Sequence, residues 1–372
     1  MDRLECAYWD AGRCRSCTLI ETPYDRQLAE KDAGARALLP GLVGEVWERP
    51  QASAPAHFRN KAKLVIGGRP GSVTVGILDA RQRGVDLRDC PLHERPLREA
   101  IHAVAGVIDD LLLIPYDVPD RRGEVKYALL TSSPDGELML RLVLRTRHHL
   151  ERVASHLDAI RTALPAVRVV SVNLHPEHKA VLEGQEEVLL TEEATLPLRV
   201  NDITLQLGVR SFFQTNTAVA AALYRTAREW VAPLEVDTVA DLYCGVGGFA
   251  HHLTSWQRRV TGVEISAEAV AAARLTRTTP PPAFLAGDAT AYLKENPSPG
   301  LVVVNPPRRG ITSLAHDLER SAARHVLYSS CSPRSLATDL AAMPSLRPVR
   351  ARLFDMFPQT HHSEILVLLT RE

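Results

Sequence analysis

Six cysteines divide into two groups whose positions suggest different chemistry. Cys6, Cys14, Cys17 and Cys90 lie in the first quarter of the chain, and the first three are spaced Cys-x7-Cys-x2-Cys. Four clustered thiols are typical of a metal site or of disulfides. Cys244 and Cys331 instead each end an apolar run that predicts a strand, and an isolated cysteine there can act as a nucleophile. The sequence therefore predicts a metal centre or disulfide staple and, separately, a reactive thiol.

Composition favours metal binding for the clustered cysteines. The chain has 372 residues, of which 45% are hydrophobic and 24% are charged, so it is long enough for two domains of ordinary size. No secretory signal and no apolar run long enough to span a membrane is visible. We therefore expect a cytoplasmic protein without a membrane partner. In that reducing compartment, clustered cysteines bind metal more often than they form disulfides.

Charge argues against nucleic-acid binding through bulk electrostatics. The 44 basic residues are balanced by 44 acidic ones, whereas a protein that binds nucleic acid by charge alone is strongly basic. Basic patches are concentrated before residue 150, and one contains Arg59, Lys61 and Lys63. Taken singly, such a patch is as readily a solvated face. We predict these three side chains as the nucleic-acid contacts.

The two halves of the chain have different patterns of apolar residues. Between 61 and 207, short segments rich in Val, Leu and Thr predict antiparallel strands, with helices near 97–110 and 149–163. After a helix capped by Asn216, strands and helices alternate, which predicts a parallel sheet that binds ligands at the carboxyl ends of its strands. A closing strand pair suggests an antiparallel addition. The predicted strands are 238–243, 259–265, 283–286, 301–305, 325–330, 350–357 and 364–370, and the predicted helices are 248–256, 267–276, 313–323 and 333–342.

A glycine-rich turn, Asp241-Leu-Tyr-Cys-Gly-Val-Gly-Gly248, joins the first of these strands to its helix. Its glycines, Gly245 among them, let the backbone approach a ligand, and the helix start supplies free N–H groups. The spacing matches neither the dinucleotide fingerprint nor a phosphate loop. Glu264 ends the next strand, where an acid can hold ribose hydroxyls. Asp288 follows the third strand, within reach of an adenine edge, and Asn305 follows the fourth.

The glycine-rich turn, the acid Glu264 on the next strand and Asp288 after the third strand together resemble the S-adenosylmethionine site of class I methyltransferases. A Rossmann-like enzyme for another nucleotide is the alternative. Cys331 would then lie at the active edge of the sheet, where a thiolate can add to carbon 6 of uracil or cytosine and make carbon 5 nucleophilic toward a sulfonium methyl group. A base must afterwards remove the carbon-5 proton, for which we favour Glu364 over His361 or His362. Cys244, in the glycine-rich turn, is interpreted as a packing residue.

Several long motifs resemble the RNA uracil-C5 methyltransferases over nearly the whole chain. They are Asp241-Leu-Tyr-Cys-Gly-Val-Gly-Gly248, Val304-Asn-Pro-Pro-Arg-Arg-Gly310, Tyr328-Ser-Ser-Cys331 and Leu353-Phe-Asp-Met-Phe-Pro-x-Thr-x-His-x-Glu364. Cys6-Ala-Tyr-Trp-Asp-Ala-Gly-Arg-Cys-Arg-Ser-Cys17 and Phe58-Arg-Asn-Lys-Ala-Lys63 resemble the branch that methylates uracil 747 of 23S ribosomal RNA. The resemblance implies an enzyme that transfers methyl from S-adenosylmethionine to carbon 5 of a uracil in that RNA.

The resemblance also implies roles for individual residues. Cys6, Cys14, Cys17 and Cys90 would hold a 4Fe-4S cluster, with a structural zinc as the alternative. Gln214, Tyr243, Glu264 and Asn305 would contact the cofactor, Cys331 would be the nucleophile and Glu364 the base. Two positions depart from the pattern, because Tyr243 stands where close relatives usually carry Phe and Asn305 where related uracil enzymes carry Asp.

The expected fold is α/β, with a C-terminal Rossmann-like methyltransferase domain and a central antiparallel β-rich α+β domain that carries the cluster motif. We expect residues 1–20 and 52–210 to form the iron-sulfur and RNA-binding domain, and residues 21–51 and 211–372 to form the catalytic domain. A monomer is expected.

Two other functions compete with uracil methylation. An amino-group methyltransferase could use Asn305-Pro306-Pro307, although such enzymes normally place Tyr or Phe next, where this chain has Arg308. A non-catalytic iron-sulfur RNA-binding module is the second alternative, and the set of Glu264, Asn305, Cys331 and Glu364 argues against it.

Overall fold

The computed structural model describes residues 3–42, 44–179 and 181–371. The helices are α1 (Ala7–Asp10), α2 (Tyr24–Leu38), α3 (Arg95–Asp110), α4 (Leu150–Ser155), α5 (Leu157–Ala163), α6 (Thr217–Val231), α7 (Gly248–Leu253), α8 (Ala267–Leu275), α9 (Ala289–Glu295), α10 (Ser313–Arg320) and α11 (Pro333–Ala341). Within the described residues, none of the helices combines the length and apolar character that crossing a bilayer requires.

The strands belong largely to two sheets. They are β1 (Lys61–Arg69), β2 (Ser72–Leu78), β3 (Gly84–Asp86), β4 (Val125–Ser132), β5 (Leu138–Leu144), β6 (Val167–Leu174), β7 (Glu186–Leu189), β8 (Thr195–Val200), β9 (Ile203–Gly208), β10 (Thr238–Leu242), β11 (Arg259–Glu264), β12 (Ala283–Ala286), β13 (Leu301–Val304), β14 (His325–Ser330), β15 (Leu346–Phe354) and β16 (Glu364–Arg371).

The chain divides into two compact units. The N-terminal unit comprises Glu5–Ser16 and Ala56–Leu198, and the C-terminal unit comprises Met1–Leu4, Cys17–Pro55 and Arg199–Glu372. The boundaries at Cys17 and Ala56 lie four residues from those expected from the sequence, the boundary at Arg199 lies twelve residues from the expected one, and the boundary at Glu5 was not expected.

In the N-terminal unit, one sheet has the strand order β3-β2-β1-β4-β5-β6-β7. Its core lies on the face where alternate apolar residues of β1, β4, β5 and β6 meet the helices, and Ile66, Ile101 and Leu142 are fully buried there. The neighbours are antiparallel except for β5 and β6, which are parallel. The expectation of purely antiparallel strands was wrong at this pair, because α4 and α5 form a crossover that returns the chain in the same direction. The single helix predicted at 149–163 is two helices that meet at His156.

In the C-terminal unit, the sheet has the order β12-β11-β10-β13-β14-β16-β15. Neighbours from β12 to β14 are parallel, and β16 lies antiparallel between β14 and β15. The predicted parallel sheet with an antiparallel strand pair is thus confirmed. The helix α9, which was not predicted, separates β12 from β13. β15 begins at Leu346, earlier than expected. Strand order reverses between β10 and β13, which is where open α/β sheets bind ligands.

The segment Cys17–Pro55 completes the core of the C-terminal unit. Apolar side chains of α2 and of the residues after it, Ala35, Leu39, Leu42 and Trp47, are buried in the core that contains the parallel strands. Beyond α2 the chain runs along β15, with backbone N–H groups of Glu48 and Gln51 donating to carbonyls of that strand.

A buried ion pair joins α2 to the segment before β16. The Nζ atom of Lys31 lies 2.6 Å from Oδ1 of Asp355, and their side chains are 3% and 0% exposed. The same ammonium donates to the carbonyl oxygen of Phe357 at 3.1 Å. Burial lowers the pKa of Lys31, and the nearby carboxylate of Asp355 opposes that shift.

Replacing Lys31 tests this contact. We expect Lys31→Met to lower the free energy of unfolding by about 3–5 kcal/mol, because the Asp355 carboxylate would stay buried without its partner. Urea unfolding followed by circular dichroism measures the change. Adding Asp355→Asn should recover part of the loss. Lys294→Met removes the same charge from a side chain that is 65% exposed and 3.9 Å from its partner, so it should change little. Equal losses in Lys31→Met and Lys294→Met would contradict a special role for the buried pair.

Candidate active site

The residues predicted for chemistry in the C-terminal unit share the carboxyl edge of its sheet. Each follows, or ends, one of the adjacent parallel strands. They are Tyr243 and Gly245 after β10, Glu264 at the end of β11, Asp288 after β12, Asn305 after β13 and Cys331 after β14. Gln214 is buried in the segment before α6. Parallel pairing in this register brings the strand ends together, as the sequence predicted.

The glycine-rich turn is held in an unusual backbone conformation. Tyr243 has a φ of 65°, a left-handed value that is rare for an aromatic residue. Gly247 has a φ of 83° and caps α7, and a Cβ there would lie 2.7 Å from the ring of Phe284. Only glycine fits this position without displacing that ring. The turn leaves the N-terminal N–H groups of α7 at the edge of the sheet.

The acids at this edge already make defined hydrogen bonds. Oε2 of Glu264 accepts from the backbone N–H of Gly245 at 3.2 Å, and Oε1 accepts from that of Ser266 at 3.0 Å. The carboxylate is therefore oriented by two neighbouring loops. Oδ1 of Asp288 accepts from the N–H of Ala291 at 2.9 Å and so caps α9, while its side chain remains accessible. Such fixed acceptors can recognise hydroxyl and amino groups of a nucleoside.

Asp241 connects the glycine-rich turn to α7 through a buried hydrogen bond. Its Oδ2 accepts from the N–H of Ala250 at 2.9 Å, and the residue is fully buried. Burial raises the pKa of Asp241 to about 8, and the carboxylate of Glu264 adds to that rise. Oδ1 is buried without a hydrogen-bond partner among the described residues. We infer that Asp241 is largely protonated at neutral pH and acts as a structural anchor for α7.

Cys331 and Glu364 approach each other because β14 and β16 are antiparallel neighbours. Ser330, the residue before the thiol, pairs with Ile365, the residue after the carboxylate. Burial raises the pKa of the Cys331 thiol, as does the carboxylate of Glu364, whereas the guanidinium of Arg308 lowers it. A carboxylate and a guanidinium therefore both act on one thiol at a single strand end.

Glu364 has the environment of a general base that works near neutrality. It is 2% exposed, and burial raises its pKa to about 7. The Ser329 hydroxyl donates to its Oε1 at 2.5 Å, which favours the ionised form. His361 and His362, the alternative bases, are exposed side chains. Burial and pKa both favour Glu364 for removing a proton from carbon.

The loop that carries Arg308 is fixed by a buried acid. Oδ2 of Asp339 accepts from the Tyr328 hydroxyl at 2.6 Å and from the N–H of Ile311 at 2.9 Å. The hydroxyl of Ser335 donates to the carbonyl of Arg308 at 3.0 Å. Sequence reasoning missed Arg308, Ser329 and Asp339 as functional residues. Arg308 and Ser329 lie within quoted motifs, so only their roles were missed, whereas no local pattern marks Asp339.

The two later cysteines differ in their surroundings. Cys244 is buried in the glycine-rich turn, and burial together with Asp241 raises the pKa of its thiol far above the usual value. A thiol held neutral in this way suits packing. The pKa of the Cys331 thiol is also raised, but Arg308 opposes that rise and the residue is only half-buried, so its sulfur is the more accessible of the two.

Three of the four early cysteines belong to the N-terminal unit. Burial raises the pKa of the Cys90 thiol, with Cys6 and Cys14 adding to the rise and Arg59 opposing it. The Cys6 and Cys14 thiols are thus near enough to Cys90 to affect its pKa. Cys17 is the first residue of a segment of the C-terminal unit. Within the part of the chain that the structure describes, no three acidic, histidine or cysteine side chains are already arranged around a common metal position.

The predicted RNA contacts lie at the start of β1 and just before it. Lys63 is exposed, whereas Lys61 is half-buried, and burial with the charges of Lys63 and Arg141 lowers the pKa of Lys61 to about 8. The backbone N–H of Arg59 donates to the carbonyl of Leu92, and its guanidinium is close enough to Cys90 to affect that thiol. The sequence grouped these residues, but the structure gives each a different environment.

Comparison with known proteins identifies a methyltransferase family. The family model for tRNA (uracil-5-)-methyltransferase matches residues 143–279 and 295–372. The 23S rRNA (uracil(747)-C(5))-methyltransferase of Halothiobacillus neapolitanus is 46% identical over 378 aligned positions, which cover 99% of this chain and 100% of that protein. The enzyme of the same name from Cronobacter sakazakii is 44% identical, with 99% and 100% coverage.

A solved structure gives the same result for the fold. The Pyrococcus abyssi tRNA (uracil-54, C5)-methyltransferase in complex with S-adenosyl-L-homocysteine superposes with a TM-score of 0.80, covering 95% of this chain and 85% of that one at 24% sequence identity. The fold is therefore that of an S-adenosylmethionine-dependent methyltransferase. With a family model matching more than half of its length and relatives matching nearly all of it, the chain belongs to the tRNA (uracil-5-)-methyltransferase family.

Proposed function

We propose that this protein transfers a methyl group from S-adenosylmethionine to carbon 5 of uracil 747 in 23S ribosomal RNA. The observation that carries the proposal is the pairing of a half-buried thiol, Cys331, with a buried carboxylate, Glu364, at the active edge of the sheet. An amino-group methyltransferase needs no such thiol. The choice of position 747 is supported by relatives of that name, which match nearly the full length of the chain.

The residues at the strand ends fit S-adenosylmethionine. A Cβ at Gly245 or Gly287 would meet no atom within 4 Å, so the backbone leaves open space on either side of Glu264. Glu264 would hold the ribose, Asp288 the adenine edge, and Gln214, Tyr243 and Asn305 the remainder of the molecule. When bound, S-adenosylmethionine supplies an electrophilic methyl group.

The protein would supply the nucleophile and the base. The Cys331 thiolate adds to carbon 6 of the uracil, which places electron density on carbon 5. After carbon 5 has been methylated, Glu364 takes its remaining ring proton, carbon 5 and carbon 6 regain their double bond, and Cys331 leaves as a thiolate. Arg308 stabilises the anionic thiolate. The uracil must leave its stack to reach Cys331, so we expect it to be extruded from a loop or from locally opened RNA in the cytoplasm.

The four early cysteines are proposed to hold a 4Fe-4S cluster. Four thiolates are the ligand set that such a cluster needs, and the effect of Cys6 and Cys14 on the pKa of the Cys90 thiol supports a shared ligand. Arg59 would offset part of their negative charge. The cluster would brace the N-terminal unit, whose Arg59, Lys61 and Lys63 are proposed to contact RNA, with the protein acting as a monomer.

Mapping 5-methyluridine in ribosomal RNA tests the main proposal. Cells lacking this gene should lose the modification at position 747, and a wild-type copy should restore it. A Cys331→Ala copy should not restore it, because addition to carbon 6 requires the thiolate. Cys244→Ala is the matched control and should restore modification. Restoration by Cys331→Ala would favour the amino-group enzyme.

Glu364→Gln separates the two halves of the reaction. We expect Cys331 to form its bond with the RNA in this variant, but proton removal to be slow, so that a covalent protein–RNA complex accumulates. Denaturing gel electrophoresis with labelled RNA measures the complex. A variant that neither turns over nor forms the complex would show that Glu364 acts earlier than proposed.

The pH dependence of turnover tests the environment of Glu364. Because only the ionised carboxylate accepts a proton, the rate should rise with pH through about 7. The Ser329 hydrogen bond favours ionisation, so Ser329→Ala should raise the pKa of Glu364 and move this rise to higher pH. Thr338→Ala, which removes an exposed hydroxyl from α11, should leave the profile unchanged. An unshifted profile for Ser329→Ala would contradict the assignment.

Metal analysis tests the cluster. Protein purified without oxygen should contain iron and acid-labile sulfide and should absorb visible light broadly, and Cys90→Ser should lose these signals while Cys244→Ser keeps them. Zinc without sulfide would contradict the cluster and support the structural zinc site.

A further inference from the structure

A cavity of about 360 Å³ opens within the N-terminal unit and uses none of the residues assigned above. Its polar and aromatic lining consists of Gln82, Tyr116, Lys126, Tyr127, His178 and Lys179. This volume lies in the range of pockets that enclose small organic ligands. Two cations, three aromatic rings and an amide in one concave surface are the groups that recognise a nucleotide.

A β-bulge explains how neighbouring residues reach the same cavity. In β4, the register against β5 shifts between Val125 and Tyr127, so that Lys126 is the extra residue. A regular strand would send Lys126 and Tyr127 to opposite faces, but a bulge re-aims one side chain. The structure thereby places an ammonium group beside an aromatic ring.

Lys126 is a buried cation whose acidic neighbours are engaged elsewhere. The residue is 5% exposed, and its Nζ donates to the carbonyl oxygen of Glu177 at 2.6 Å. It lies 4.9 Å from the ring centroid of Tyr116. The carboxylate of Glu124 is bound to Arg145 at 2.9 Å, and that of Glu177 to Lys179 at 2.5 Å. Burial and Arg145 lower the pKa of Lys126 to about 8, so the group remains mainly charged at neutral pH. An anion would stabilise it.

The aromatic side of the cavity is partly fixed in advance. The Tyr116 hydroxyl is hydrogen-bonded to Nδ1 of His178 at 2.9 Å, and the two ring centroids are 6.2 Å apart. Tyr127 is half-buried, so part of its ring is accessible. Rings held in this way offer a stacking surface without a large loss of side-chain entropy on binding.

The cavity continues the row of residues proposed to face RNA. Lys61, Lys63 and Val65 alternate along β1 and so share one face, and Val65 lies opposite Tyr127 on β4. Val65 also lines the cavity. At about 3.3 Å per residue, Lys63 is roughly 7 Å from this wall, so a single RNA strand that contacts Lys63 can also reach the cavity.

We propose that this cavity binds one extruded nucleotide of the RNA substrate other than the uracil that is methylated. The base lies against Tyr127 and His178, and its phosphate lies between Lys126 and Lys179. The inference rests on the proposed function for its RNA, but it concerns binding and not methyl transfer. Continuity with Lys61 and Lys63 favours a nucleotide within a strand over a free nucleotide.

The phosphate contact is tested by the salt dependence of binding. A labelled RNA hairpin that contains position 747 is titrated with protein and S-adenosylhomocysteine at several salt concentrations. Lys126→Met and Lys179→Met should each weaken binding about three- to tenfold at low salt and reduce the salt slope by about 0.7. Lys294→Met is matched to Lys179→Met, because both side chains are 65% exposed, and it should behave as wild type. Wild-type slopes for both cavity variants would overturn the phosphate contact.

The base contact is tested by removing bases one at a time. Abasic substitution at one position outside the target uracil should weaken binding to wild type about tenfold, but should have little further effect in Tyr127→Leu. The proposal would be overturned if abasic substitution changed RNA affinity equally at every position in both proteins. It would also be overturned if Tyr127→Leu lost binding of adenosine monophosphate but kept its RNA affinity, because the cavity would then bind a free nucleotide. Methylation of the intact hairpin by wild type is measured in parallel. Absence of methylation would count against the proposed function. If the hairpin is methylated but the abasic substitution weakens binding equally in wild type and in Tyr127→Leu, the result would count only against this cavity.

Discussion

The antiparallel pairing of β16 with β14 is the constraint on which the candidate active site depends. The last residue of a parallel strand would lie at the active edge of the sheet. In an antiparallel strand it is the first residue that lies there. The residue that starts β16, Glu364, is thereby placed next to the residue that follows β14, Cys331. The same pairing puts the Ser329 hydroxyl on the carboxylate and buries both. Position, burial and basicity of the proposed base thus arise from one strand direction.

The segment between β15 and β16 is held from a distant part of the sequence. Lys31 of α2 pairs with Asp355, and Gln27 exchanges hydrogen bonds with Gln359, whose backbone φ of 67° is otherwise unfavourable. Gln359 and Asp355 precede Glu364 by five and nine residues, so the first helix of the C-terminal unit holds the segment that leads to the proposed base. The charge, amide and backbone contacts act on the same short segment. The losses in unfolding free energy from removing them are therefore expected to be non-additive.

The sequence predicted most of what depends on local pattern. Alternating strands and helices identified the sheet, and the positions of Glu264, Asp288, Asn305 and Cys331 after successive strands placed them at one edge. Contacts between side chains distant in sequence could not be predicted in this way. Ser329 has a neighbour for its hydroxyl only because β16 pairs with β14, and a single strand gives no sign of that pairing. Lys31 has the pattern of a surface lysine on a helix of mixed polarity. Likewise, no periodicity marks the bulge at Lys126 or the parallel pairing of β5 with β6, since both depend on how separate strands align.

The division of the C-terminal unit along the chain has a consequence for its biosynthesis. Lys31 and Asp355 are separated by 324 positions, and the core that contains α2 closes around strands made near the end of translation. The ribosome would therefore synthesise α2 long before its partners exist, and the side of α2 that is buried in the finished protein would stay exposed in the meantime. The N-terminal unit has its own core and its strands and helices lie almost entirely between Ala56 and Leu198, so we expect it to fold as a unit once Leu198 has been synthesised. Premature termination between Leu198 and β16 would then leave the complete N-terminal unit joined to an open half-sheet that lacks Glu364.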